Sequence, residues 1–231
     1  MPDIAPSNAI TVDTAGASLV SPAPMATPLP LPRQRLGILA SGNGSNFEAI
    51  AQAIAQGDLA AEIAVMIHNN PGAGVVARAE HLQVSAVLHN HRQFDSREAL
   101  DQALVHTLRS HAVDWVVMAG WMRRVTQHLI EAFPGRILNI HPSLLPSFPG
   151  LRAVDQALEA GGTIAGCTVH HVELAVDSGP IIMQAAVPVL PNDTAASLQQ
   201  RIQVQEHQIY PRAIALALAA DAHTAAKIEP D

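Results

Sequence analysis

The stretch RLGILASGNGSNFEAIAQAIAQ, residues 35–56, decides the fold class. Its apolar run LGILA has the composition of a buried strand. The Gly- and Asn-rich SGNGSN of residues 41–46 then turns the chain directly into the amphipathic run SNFEAIAQAIAQ. A buried strand, a tight turn and a helix form the opening of a βαβ unit. Outward from this stretch the alternation continues. EIAVMIH is followed by GVVARAEHLQ, SAVL by SREALDQALVHTLRSH, WVVMAG by TQHLIEAF, and RILNI closes the series. The reading is a Rossmann-like α/β fold, a mostly parallel sheet with helices on both faces. Within it, Asp95 and Glu98 stand at capping-box spacing, and Leu100, Leu104 and Leu108 repeat along one helical face.

Past Gly150 the texture changes. TIAGCTVHHVELAV and PIIMQAAVPVL read as two longer antiparallel strands joined around Asp177-Ser178-Gly179. A terminal helix starts near Asp193-Thr194 with Leu198, Ile202 and Ile209 on one face, and Pro211 is expected to kink or break it. Before Arg33, seven of the 17 prolines crowd into 32 residues. Pro at that density blocks helix and sheet ladders, so residues 1–33 are expected to form a disordered leader, with Met25 an alternative start. Residues 34–222 form the folded domain and 223–231 a tail.

Lys plus Arg number 13 against 20 Asp plus Glu, for a net charge of −7, which lacks the electrostatic footprint of a nucleic-acid binder. The single cysteine, Cys167, excludes an internal disulfide framework and a multi-thiolate metal site. No run approaches the ~20 apolar residues of a membrane span, and the N-terminus lacks a secretory pattern. The expectation is a cytoplasmic protein with no membrane or nucleic-acid partner.

Three segments carry chemistry. The SGNGSN turn is neither G-x-G-x-x-G, since Phe47 takes the third glycine position, nor a Walker loop. It reads either as a cradle for a single phosphate or sugar phosphate at a helix N-terminus, or as a tight turn with no ligand. In NIHPSLLPSFPG, residues 139–150, Asn139 and His141 lie two apart at a strand end, so both aim to one side of the carboxyl edge. An amide beside an imidazole suits an oxyanion and a moving proton; alternatively His141 caps the strand. Asp177 in VDSGP reads as an ordinary turn residue, or as the partner that holds an imidazole in one tautomer and stabilises its cation. The doublets His89/His91 and His170/His171 have no Glu or Cys at zinc spacing, so no metal is expected.

Together, GNGSN, NIHPSLLPSFPG, the Asp-x-Gly turn and QEHQIYP, in this order, resemble the folate-dependent phosphoribosylglycinamide formyltransferases from about Leu36 to Ala219. The resemblance implies transfer of a formyl group from 10-formyltetrahydrofolate to the amine of 5-phosphoribosylglycinamide, in purine synthesis. It implies that Asn139, His141 and Asp177 are catalytic. It places the ribonucleotide on Gly44, Ser45, Asn46, Gln203, Val204, Gln205 and Glu206. It places the folate on Arg97, Met122, Arg123, Arg124, Val125 and Asn139, and on the loop of Glu173, Leu174, Ala175, Val176 and Asp177. Trp121 and Arg124 depart from the residues common in the family, and Arg124 either meets a polyanionic folate tail or faces water. A methionyl-tRNA formyltransferase carries an added tRNA-binding domain, which no basic patch here suggests. The alternatives are a formyltetrahydrofolate hydrolase, which normally has a folded N-terminal regulatory domain, and a catalytically inactive sugar-phosphate-binding protein. A monomer or homodimer is expected.

Overall fold

The computed structural model describes residues 12–13, 18–22 and 33–226. In chain order its strands are β1 (Val12–Asp13), β2 (Ser18–Ser21), β3 (Gln34–Ala40), β4 (Ala61–His68), β5 (Ala86–Leu88), β6 (Trp115–Met118), β7 (Ile137–His141), β8 (Ile164–His171) and β9 (Ile181–Pro188). Its helices are α1 (Ser45–Gln56), α2 (Val75–His81), α3 (Arg97–Ser110), α4 (Gln127–Ala132), α5 (Ala153–Glu159) and α6 (Ala195–Ala226). The sheet order is β1-β2-β9-β8-β7-β6-β3-β4-β5. Strands β7, β6, β3, β4 and β5 pair in parallel, and the remaining pairings are antiparallel. This is the α/β architecture expected, with helices over both faces of the parallel part.

The parallel strands are apolar along their central runs because both their faces are covered there. One face packs Leu36, Ile38, Met66, Trp115 and Val117 against α1 and α6. The other packs Leu39, Val65, Val116 and Met118 with Leu100, Leu104 and Leu108 of α3. The leucine stripe of α3 is therefore core packing, as its spacing suggested. Its cap is Ser96 and not Asp95: the Ser96 hydroxyl accepts from the Ala99 N–H at 3.0 Å.

Three other details differ from the sequence reading, and one agrees. First, β8 stops at His171, so Val172 to Val176 belong to the loop and not to a long strand. Second, α6 runs through Pro211 without a break. Pro211 forfeits one helical hydrogen bond, a cost of about 3 kcal/mol. Against that, Ile209, Tyr210, Ala213, Ile214 and Leu218 are buried against the sheet, each large apolar side chain contributing ~2 kcal/mol. The same helix starts where expected, capped by Thr194, whose hydroxyl accepts from the Ser197 N–H at 3.2 Å. Third, part of the Pro-rich leader is not ladder-free: Ser18–Ser21 pairs with β9, Leu19 opposite Ala186. Residues 7–21 contain no proline, and Pro22 follows directly where the strand ends. Val12–Asp13 of the leader pair with β2 in turn, and residues 223–226 of the expected tail continue α6; residues 1–11, 14–17, 23–32 and 227–231 lie outside the described residues.

The sheet reverses its order between β3 and β6, which is where open α/β sheets leave a crevice at the carboxyl ends of the strands. Here the loops after β3 and β6 are joined: the Ser41 N–H donates to Gly120 O at 3.0 Å, and the Met122 N–H donates to the Ser41 hydroxyl at 2.8 Å. Among the described residues, no helix is long and apolar enough to cross a membrane.

Candidate active site

Strand β7 ends in the crevice, and Asn139 and His141 leave it two residues apart. Asp177 reaches the same point from the β8–β9 loop. Its Oδ2 lies 3.3 Å from His141 Nδ1 and accepts from the Gly150 N–H at 2.8 Å. Its Oδ1 is 3.5 Å from Asn139 Nδ2 and 3.7 Å from His170 Nε2. The structure thus brings Asn139, His141 and Asp177 together, although 38 residues separate the first from the last.

Burial would raise the Asp177 carboxyl, but it is held below its usual range. Hydrogen bonds from His170 and the Gly150 N–H, and the charges of His141 and His170, outweigh the desolvation. His141 Nε2 donates to the Phe148 carbonyl at 2.9 Å while Nδ1 faces Asp177. Both ring nitrogens therefore face oxygen acceptors, which fixes the plane of the ring.

Sequence reasoning missed His170 as a member of this group. It lies opposite Asn139 in the β7–β8 register and is 2% exposed. Its Nδ1 lies 2.7 Å from the His171 carbonyl, and its Nε2 lies 3.2 Å from Asn139 Nδ2 and 3.7 Å from Asp177 Oδ1. The His-His doublet was the available signal, but only the strand register says which of the two faces the site. Backbone groups of Phe148 and Gly150 also escaped notice. They are placed by the Pro-rich loop, which is anchored through Thr168: its hydroxyl donates to Ser143 O at 2.7 Å and accepts from the Leu145 N–H at 3.0 Å. Positive φ at the non-glycine residues Phe148, Arg152 and Asp177 (53°, 59° and 51°) gathers strained backbone around the trio.

The trio opens into a cavity of about 570 Å³. Arg97, Met122, Arg123, Arg124, Val125, Asn139, Glu173, Leu174, Val176 and Asp177 line it, along with Trp121, Leu151 and Arg152. Ala175 of the expected folate set does not line it; its carbonyl accepts from the Ser178 hydroxyl at 2.9 Å. Apolar walls with guanidinium groups around them fit an aromatic ring system that carries an anionic tail.

The ribonucleotide set lies outside that lining, at the start of α1. Gly44 is left-handed (φ 75°) and α1 has no side-chain cap. Its first-turn N–H groups are thus without the usual side-chain acceptor. Helix α6 closes over the turn. Gln203 Nε2 donates to the Ser45 hydroxyl at 2.8 Å, and Asn46 Nδ2 donates to Glu206 Oε2 at 2.9 Å. Burial raises the Glu206 carboxyl, partly opposed by that Asn46 bond. Asn46 Oδ1 and Gln205 Oε1 are buried with no hydrogen-bond partner among the described residues, while Val204 is exposed. Cys167 is fully buried, and burial pushes its thiol up, as packing requires and nucleophilic chemistry does not. Among the described residues no group of three or more His, Cys, Asp or Glu is arranged to hold a metal ion.

A crevice at the reversal of an α/β sheet, holding an imidazole, an amide and a carboxylate beside a cavity, has the make-up of an enzyme site, with groups that can move a proton and hold an oxyanion. Residues 34–214 match the model of the formyl transferase family, and the chain belongs to that family. It is 41% identical over 181 residues to phosphoribosylglycinamide formyltransferase of Bacillus subtilis, covering 78% of this chain and 93% of the relative. It is 46% identical over 188 residues to the trifunctional purine biosynthetic protein adenosine-3 of Drosophila pseudoobscura pseudoobscura, spanning 80% of this chain but 14% of that longer protein. Among solved structures, glycinamide ribonucleotide transformylase 1 of Symbiobacterium toebii superposes with a TM-score of 0.80 at 48% identity, over 81% of this chain and 89% of that one. Phosphoribosylglycinamide formyltransferase of Bacillus halodurans superposes with a TM-score of 0.78 at 42% identity, over 80% and 95% of the two chains.

Proposed function

We propose that the protein transfers the formyl group of 10-formyltetrahydrofolate to the primary amine of 5-phosphoribosylglycinamide in purine biosynthesis. The observation that carries the reading is the convergence of Asn139, His141 and Asp177 at a cavity, on the same edge of the parallel sheet as the uncapped N-terminus of α1. The amine is its own nucleophile. Its lone pair forms a C–N bond to the formyl carbon, and the carbonyl electrons move onto oxygen. Collapse of that tetrahedral species breaks the bond to the folate N10, which leaves with a proton drawn from the attacking amine.

Each residue has a role set by its partners. The Asn139 proton directed at Asp177 spans 3.5 Å, the outer limit of a hydrogen bond, so it is the one free to turn to the oxyanion. His141 supplies the second donor when its Nε2–H turns from the Phe148 carbonyl to the oxyanion, and each such donor contributes ~3 kcal/mol in acyl-transfer sites. Asp177 balances the imidazolium and keeps the ring oriented while the proton passes, directly or through water, to N10. Holding both substrates side by side supplies the proximity contribution. The folate occupies the cavity, with its pterin under loop 173–177 and its glutamate toward Arg97 and Arg123. The phosphate takes the Gly44–Ser45–Asn46 turn. The orphan oxygens of Asn46 and Gln205 suit hydroxyl donors of the ribose. Activity in the cytoplasm belongs to this same reading.

The test follows folate absorbance with and without the ribonucleotide. Turnover only with both substrates is expected. Turnover with folate alone would make the protein a hydrolase, and ribonucleotide binding without turnover would make it an inactive binder.

A further inference from the structure

Arg78 is part of neither the catalytic trio nor the cavity, yet it touches the phosphate turn twice. It projects from α2, and its Nε–H donates to the carbonyl of Asn43 at 2.8 Å. Its Nη1 pairs with Glu48, the acidic residue in the first turn of α1. Around it the start of α2 and the turn are interlocked. The Val75 N–H donates to Gly42 O at 3.1 Å. A Cβ on Gly44 would sit 2.4 Å from Val75 Cγ2, and one on Gly74 would sit 2.8 Å from Asn43 Oδ1. The guanidinium is about one-third exposed, so it is open to a charge arriving at the turn.

We infer that Arg78 is a positioning residue for the phosphorylated substrate, resting on the reading of this turn as the phosphate site. It acts in two ways. It holds the Asn43 carbonyl back against α2, which keeps the Gly44 N-terminus of α1 shaped for an anion. It also neutralises Glu48, a carboxylate one helical turn from the place where a phosphate dianion settles. Without Arg78 that carboxylate would repel the substrate, and the turn would lose its one charged clasp to α2 among the described residues. His207 on α6 lies close enough to feel both charges, so the pair also faces the helix that closes the site.

The experiment measures steady-state kinetics and ribonucleotide titration calorimetry for wild type, Arg78→Ala, Arg78→Lys, Glu48→Gln and the double variant Arg78→Ala/Glu48→Gln. Arg78→Ala is expected to raise Kd and KM for 5-phosphoribosylglycinamide about tenfold, the scale of a charge-assisted hydrogen bond, with kcat and the folate KM within about twofold. The double variant should regain part of that loss, because it removes the exposed carboxylate. Arg78→Lys should fall between, keeping the charge without the fork. If Arg78→Ala does not fold, Glu48→Gln alone decides: it should tighten ribonucleotide binding about two- to threefold at low salt, with the gain shrinking at high salt. Equal losses for both substrates, or unchanged ribonucleotide affinity in Arg78→Ala and Glu48→Gln, would overturn the inference. A wild type that neither binds nor formylates the ribonucleotide would instead overturn the functional reading beneath it.

Discussion

Asp177 receives the Gly150 N–H, faces two imidazoles and lies within reach of an amide, all from a left-handed turn conformation. Asp177→Asn keeps the shape and removes the charge that balances His141. It is expected to lower kcat by about a hundredfold or more while leaving ribonucleotide Kd within about threefold. Equal losses in both, measured by kinetics and calorimetry, would remove Asp177 from the proton path. The lowered carboxyl also makes a stability prediction. Its contribution is present above the unfolded value near 3.9 and is lost as pH falls through the depressed folded value. The stability gap between wild type and Asp177→Asn should therefore hold from about pH 6 to 5 and shrink steadily below about pH 4, as read by urea unfolding. Asn139, His141 and Asp177 were each visible in the sequence as residue types in suggestive places. His170 was not, because nothing local distinguishes it from His171. Cross-strand register does: Asn139 stands opposite His170.

Elements are fixed mostly by periodicity, and they depart from it where tertiary contacts outweigh local preference. Pro211 inside α6 is such a place, since the buried face of the helix gains more than the missing hydrogen bond costs. The Ser96 cap of α3 and the end of β8 at His171 are finer matters, decided by which backbone groups find partners. Strands β8 and β9 also pass unusually close at Gly166, where an added Cβ would meet the Ala185 carbonyl at 2.0 Å. Gly166→Ala should force the pairing apart and cost about 3 kcal/mol or more in denaturant unfolding. Because β8 carries Thr168 and His170, activity should fall along with stability. A fully stable Gly166→Ala protein would show that the strands can separate freely at this point.

On the scale of the whole molecule, the site exists because the chain reverses strand order between β3 and β6 and then adds antiparallel strands beyond β7. The leader adds β2 to β9 at the far side of that addition, three strands from β7. A chain beginning at Met25 would lack β2. It is predicted to keep kcat/KM within about twofold, because none of β2 lines the cavity. It should self-associate more readily in sedimentation experiments, because the unpaired β9 edge is then open to another chain. A large loss of turnover would tie the leader to catalysis.

The order of apolar and amphipathic runs was enough to specify a parallel α/β sheet, since burial on both faces imposes continuous apolar strands, and turn chemistry marks their ends. Motif order then pointed to the family and to the trio. Long-range placement had to come from folding. Contacts such as Asn139 with His170, Gln203 with Ser45 and Arg78 with Glu48 join residues 31, 158 and 30 positions apart. Register and helix docking set those distances, and both are global minima of packing and hydrogen bonding that no local window of residues encodes.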